Sequence, residues 1–369
     1  MADTTLRVAD AIVSYLSRLV DENGDPLVGG ALSVPGYGSV LGFAPALESV
    51  REELPLVRVE DESRMGPAAL AFARLRPGAF LACIGASERL MAAAGAAAVA
   101  RVPMLLLVTE ETPGVLEPVV SAYARIESAA QSVSTVEQAL LALRGQGGAA
   151  CVVVPDAIRE TEAPFETSDR NRTLGSLTPE GVSLTETVRS SAAPEPYGDR
   201  TPTDEELWGS IDAIVPPELV FIALEAKLVR AGHRVLRPER RRHLDGGAAP
   251  VGHTIAAAIG ARLALPGTRI VAVVSSDGGP LTGSDLATVA RQALGLILVF
   301  VDRGATFSDL ERFDDAGDTA QHAAALGLGF ARCSTEAEFA TALAQAIAAP
   351  EAAVIEVVAP VAQSDQAFD

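Results

Sequence analysis

Cysteine, histidine and aromatic side chains are scarce in this sequence, and each scarcity removes a class of function. The three cysteines, Cys83, Cys151 and Cys333, stand far apart without a Cys-x-x-Cys spacing, which argues against a disulfide framework and a thiolate zinc site. They are expected to be buried, reduced thiols. The four histidines, His233, His243, His253 and His322, show no metal-ligand spacing, and Gly85-Ala86-Ser87-Glu88-Arg89 puts arginine where a nucleophile elbow needs its last glycine. A histidine zinc centre and a Ser-His-Asp hydrolase are therefore set aside. Aromatics make up 4% of the residues against 49% hydrophobic, so the interior must be filled by Ala, Val, Leu and Ile, an aliphatic α/β composition. Basic residues are also in deficit, and a net charge of -19 repels nucleic-acid backbones and anionic lipid. No nucleic-acid or membrane partner is expected, and solubility alone accounts for the acidity. The sequence opens without a basic stretch leading into an apolar run, and nowhere carries about 18 consecutive apolar residues, so the expected location is cytoplasmic.

A chain of 369 residues exceeds one ordinary hydrophobic core. Short apolar runs alternate with helical stretches in both halves, the pattern of parallel strands joined by crossover helices. The fold class expected is α/β, with two doubly wound parallel-sheet, three-layer domains over residues 1–155 and 214–369. Residues 156–213 are rich in Glu, Thr, Ser and Pro and read as a long linker. In the second half the pattern predicts a helix over 217–230, a strand over 233–236, a helix over 253–264 and strands over 269–274 and 296–301.

Several strand ends carry groups with chemical potential. Glu62, in Asp61-Glu62-Ser63-Arg64-Met65, follows the strand Leu56–Val59 and opens a helix, at the edge of a parallel sheet where ligands bind. Taken alone, it reads first as an acidic residue complementing a helix dipole. Ser276-Asp277-Gly278-Gly279 follows a strand that reads as buried on both faces. Such a turn frees backbone amides for an anion and offers a carboxylate for a divalent cation, although a plain turn is the alternative. Asp302-Arg303 ends the next strand and places a second polar pair at the same edge. Gly36-Tyr37-Gly38-Ser39-Val40-Leu41-Gly42 has its third glycine one place late for a dinucleotide fingerprint.

Taken together, Asp61–Met65 with its following small-residue helix, the stretch from Arg242 through Val251-Gly252-His253 to Ala261, and Ser276-Asp277-Gly278 to Asp302-Arg303 resemble three motifs of one family. It is the thiamine diphosphate-dependent family that includes acetolactate synthase and trihydroxycyclohexane-dione hydrolase. The resemblance implies that Glu62 hydrogen-bonds the aminopyrimidine of the coenzyme, favouring the imino tautomer that removes the thiazolium C2 proton. It implies that the backbone of Val251, Gly252 and His253 meets the aminopyrimidine. Ser276, Asp277, Gly278, Gly279, Asp302 and Arg303 would hold the diphosphate, with Asp277 and Asp302 as ligands of a magnesium ion. A homodimer or homotetramer with sites at the subunit interface follows from the same likeness.

The sequence departs from the family at named places. Ser276 stands for the first motif glycine, Arg303 for the metal-binding asparagine, and Ile84–Arg89 for a Gly-Pro-Gly-x-Thr-Asn stretch. The guanidinium of Arg303 offers an alternative way to neutralise a diphosphate without metal. The middle domain of larger relatives is reduced to the linker. The expected function is a coenzyme-dependent lyase or carboligase acting on a small-molecule 2-oxo acid or 1,2-diketone. The alternative is a family member that has lost coenzyme and magnesium and serves as a binding or scaffold protein, or runs other chemistry in the old cleft.

Overall fold

The computed structural model describes residues 3–34, 42–144, 146–166, 171–174, 202–240, 242–244, 251–275, 281, 283–302 and 319–358. The chain divides into two compact units, residues 1–185 with 259–266, and residues 186–258 with 267–369. Each is built on a parallel sheet of six strands with flanking helices.

In the first unit the strand order is Leu56–Arg58, Val28–Ser33, Phe80–Ala86, Met104–Glu110, Ala149–Val153, Ala122–Arg125. In the second it is Arg242–Leu244, Val220–Ala223, Ile270–Ser275, Ile297–Asp302, Ala353–Val358, Gly329–Cys333. Numbered within each sheet, both orders are 2-1-3-4-6-5 and every pairing is parallel. The winding therefore reverses between strands one and three of each sheet. A crevice opens at such a switch point because the loops leaving those two strands run to opposite faces.

The strands form because their apolar runs are buried on both faces, as parallel sheets require. Every residue from Ile270 to Ser275 is buried, and so are Met104 to Val108. Aliphatic side chains and alanines fill both cores, as the composition demands. Gly29 in the first sheet leaves room for the buried ring of Phe72, whose Cε2 lies 2.1 Å from where a Cβ would stand. The three cysteines are buried free thiols, and burial pushes those of Cys83 and Cys151 up to about 12.

The structure corrects part of the sequence reading. The helix expected over 217–230 is instead the strand Val220–Ala223 followed by the helix Ala226–Val235, which also absorbs the strand expected at 233–236. Glu, Leu, Ala and Lys favour a helix there, but Val220–Ala223 lies between two strands and pairs with both, and tertiary pairing overrides propensity. Both ends of the stretch read as a linker are regular structure. Glu162–Glu166 pairs antiparallel with Asp3–Arg7, and Thr203 and Glu206 form a capping box on the helix Asp204–Ile214. That helix is held in the second unit by Trp208, which is fully buried, donates its indole N–H to Leu228 O at 2.8 Å and meets Phe221 edge-on at 5.7 Å. The strands Ala122–Arg125 and Arg242–Leu244 were not expected from the sequence either.

Candidate active site

Glu62 lies in the 3₁₀ turn Glu62–Arg64, just past the carboxyl end of the strand Leu56–Arg58. The capping role that competes for this residue belongs to its neighbour. Asp61 accepts a hydrogen bond from Ser63 N at 2.8 Å and another from the Ser63 hydroxyl, and Arg64 Nε approaches its Oδ2 at 3.3 Å. Burial works to raise the Asp61 pKa, but the two Ser63 hydrogen bonds and Arg64 outweigh it and hold the group below its ordinary value. Arg64 also pairs with Glu60 at 3.2 Å.

With these duties taken up around it, Glu62 turns inward and is 8% exposed. Its Cγ would lie 3.6 Å from a Cβ on Gly85, ordinary van der Waals contact, which places the Glu62 side chain against the strand Phe80–Ala86. Arg89 Nη1 donates to Glu62 Oε1 at 3.5 Å, from the first turn of the helix Ser87–Ala100. The stretch Ile84–Arg89 thus supplies a cation to Glu62 where the related motif has asparagine. Around it, Ser87 Oγ accepts from Thr112 N at 2.7 Å, and the Thr109 hydroxyl donates to Gly85 O at 3.4 Å. These bonds fix the turn that carries Arg89.

In the second unit three strand ends share one edge. Val220–Ala223 pairs with Ile270–Ser275, and Ser275 is in register with Val301, which leaves Asp302 at the end of the next strand. Ser275 is buried and Asp302 half-buried. Ser276, Asp277, Gly278, Gly279 and Arg303 lie outside the described residues, as does most of Gly36–Gly42. Val251, Gly252 and His253 form the first turn of the helix Val251–Ala264, with Gly252 buried and His253 half-buried. Among the described residues, no group of three His, Cys, Asp or Glu is placed to hold a metal ion.

One buried carboxylate at this edge escaped the sequence reading. Glu225 follows the strand Val220–Ala223, is 8% exposed, and accepts a hydrogen bond from the Thr254 hydroxyl at 3.2 Å. Thr254 is fully buried and adjoins His253 in the first turn of its helix. The signal was a glutamate directly after a run of apolar residues, hidden because that run read as helix.

No helix of the described residues is long and apolar enough to cross a membrane. Comparison with known proteins bears on the site directly. Residues 227–357 match the family model of the thiamine pyrophosphate enzyme C-terminal TPP binding domain. A 3D-(3,5/4)-trihydroxycyclohexane-1,2-dione hydrolase of Bacillus velezensis is 34% identical over 110 residues, 28% of this chain and 17% of that protein. An acetolactate synthase of Mycobacterium bovis is 28% identical over 111 residues, 30% of this chain and 18% of that protein. The aligned stretches thus span less than a fifth of either relative. The solved structure of a thiamine diphosphate-dependent 4-hydroxybenzoylformate decarboxylase from Rhodococcus jostii superposes with a TM-score of 0.68 at 13% identity, covering 97% of this chain and 100% of that one, and it shares the fold. The carboxyl-terminal part of the chain therefore carries a domain similar to the thiamine pyrophosphate enzyme C-terminal TPP binding domain, and the chain as a whole shares the fold of a thiamine diphosphate-dependent enzyme.

Proposed function

We propose that the protein is a thiamine diphosphate-dependent lyase or carboligase that acts on a 2-oxo acid or a 1,2-diketone. The observation that carries this reading is the burial of Glu62 beside Gly85, with helix capping done by Asp61 instead. A buried carboxylate is costly, and it is kept where a proton must be held at a defined place. Among the described residues, one position supports the coenzyme reading. Gly252 is a small buried residue at the start of the helix Val251–Ala264, and a parallel sheet edge at its switch point is where such ligands bind.

In this reading the backbone of Val251–His253 and residues Ser276, Asp277, Gly278 and Gly279 hold the coenzyme, with Asp277 and Asp302 as candidate magnesium ligands and Arg303 as a cation for its phosphates. Thiamine diphosphate, when bound, supplies a centre that stabilises the carbanion formed as a bond beside a carbonyl breaks or forms. Glu62 exchanges a proton with the aminopyrimidine ring through its carboxyl oxygens, and Arg89 orients that carboxylate. The burial of Glu62 limits its access to water and strengthens its contact with Arg89. A homodimer or homotetramer completes the proposal, with the substrate a small molecule and the expected location cytoplasmic.

Calorimetric titration with thiamine diphosphate, with and without magnesium, tests the reading. Binding is expected, and Glu62→Gln should bind the coenzyme while losing turnover by about 100-fold or more. Unchanged turnover in that variant removes Glu62 from the mechanism. The second reading, a family member without coenzyme that acts as a binding or scaffold protein, draws on the Arg89 contact with Glu62 and on arginine at 303. Absence of heat at millimolar coenzyme in both conditions would favour it.

A further inference from the structure

Glu225 follows the strand Val220–Ala223 at the carboxyl edge of the second sheet, and its side chain is buried. Taking a carboxylate out of water is costly, and a buried polar pair can often be replaced by apolar groups of the same shape without loss of stability. Cohesion alone would be served at this position by leucine. What an apolar contact does not supply is direction, whereas a hydrogen bond weakens steeply once donor and acceptor fall out of line.

The partner is equally buried. The Thr254 hydroxyl donates to Glu225 Oε1 at 3.2 Å, and Thr254 lies fully buried in the first turn of the helix Val251–Ala264. That turn is weak by composition, because Gly252 gives up more freedom in a helix than any other residue type and the β-branched Val251 and Thr254 are poor helix formers. The strand Val220–Ala223, in contrast, is held on both sides, by Arg242–Leu244 and by Ile270–Ser275. The bond from Glu225 to Thr254 carries this fixed position over to the start of the helix.

We infer that Glu225 is a positioning residue for the coenzyme: through Thr254 it sets the place and rotation of the turn Val251–His253. The inference rests on the coenzyme reading above, which assigns the backbone of that turn to the aminopyrimidine, and it adds a side chain that acts through another. Gly252 keeps the backbone open to close approach and loosens the turn, and the Glu225–Thr254 bond offsets that looseness.

The test separates cohesion from direction in the full chain. A double variant, Glu225→Leu with Thr254→Val, replaces the hydrogen bond by an apolar pair and should melt at or near the temperature of the parent. Calorimetric titration should nevertheless show thiamine diphosphate binding weakened about tenfold, and hydrogen exchange over residues 251–258 should be faster by a similar factor, the effect of one hydrogen bond. Glu225→Gln keeps an acceptor oxygen for Thr254 and should retain most of the affinity. Parent affinity in the stable double variant, or exchange over 251–258 as slow as in the parent, would overturn the inference and leave the coenzyme reading standing. Should the double variant fail to fold, Thr254→Val alone removes the donor, and parent affinity there overturns the inference equally. A parent chain that gives no heat with coenzyme removes the coenzyme reading and this inference with it.

Discussion

The amino and carboxyl edges of the second sheet each bury a carboxylate, and they use it differently. At the amino edge Asp212, 8% exposed, sits between two guanidinium groups. Arg237 Nε donates to Oδ2 at 2.7 Å and Arg240 Nε to Oδ1 at 2.5 Å, while Arg240 also donates to Asp212 O and Val215 O and lies over the ring of Phe221. Both oxygens of that carboxylate are spent on the fold. At the carboxyl edge Glu225 has the same exposure and accepts a hydrogen bond from the neutral hydroxyl of Thr254, while Ser275 and Asp302 close the neighbouring strands at that edge. An edge closed by ion pairs maintains structure, whereas an edge with polar groups of several kinds at a switch point is equipped to receive a ligand.

Substitutions at the two edges should separate these roles. Asp212→Ala leaves a buried guanidinium without its anion and should lower unfolding free energy by about 3–5 kcal/mol in urea titrations. The folded fraction should bind coenzyme as the parent does, and weakened binding would mean that the amino edge also serves the site. Thr254→Val should cost about 1 kcal/mol of stability and weaken coenzyme binding by about tenfold, with Thr254→Ser restoring both. A loss of stability with no change in affinity would reduce Glu225 to a structural group like Asp212.

The smallest effect belongs to the first unit, where Asp61 caps the turn that presents Glu62. Asp61→Ala should cost up to about 1 kcal/mol, as other lost caps do. Because the folded-state pKa of Asp61 lies below its ordinary 3.8, the stability it contributes is present above that pH and is lost as pH falls through the folded value. Urea midpoints of parent and variant should therefore differ at pH 6 and converge in acid. A gap that persists at low pH would show that the cap acts without its charge.

Much of this was legible in the residues. Apolar runs of strand length separated by helices indicated two parallel sheets, because strands covered on both faces need consecutive apolar residues. Glu62 was readable as a candidate from its place after a strand, yet its competing role as a cap could not be settled from spacing. Asp61 and Glu62 are adjacent acids, and only the backbone decides which one turns back to Ser63. Glu225 was missed because Val220–Ala223 carries residues equally at home in a helix, and the choice was made by partners far away in sequence. The helix Asp204–Ile214 was missed for a related reason, since its polar surroundings masked the single tryptophan that anchors it.

Composition and periodicity alone determined the α/β class, the two sheets and the aliphatic core, because burial on both faces of a strand demands consecutive apolar residues and leaves a local trace. Tertiary structure decided which acids face inward, that Arg89 stands against Glu62, and that Glu225 meets Thr254. Those relations join residues remote in sequence through strand order, and strand order is set by how whole crossovers pack, which no local pattern records.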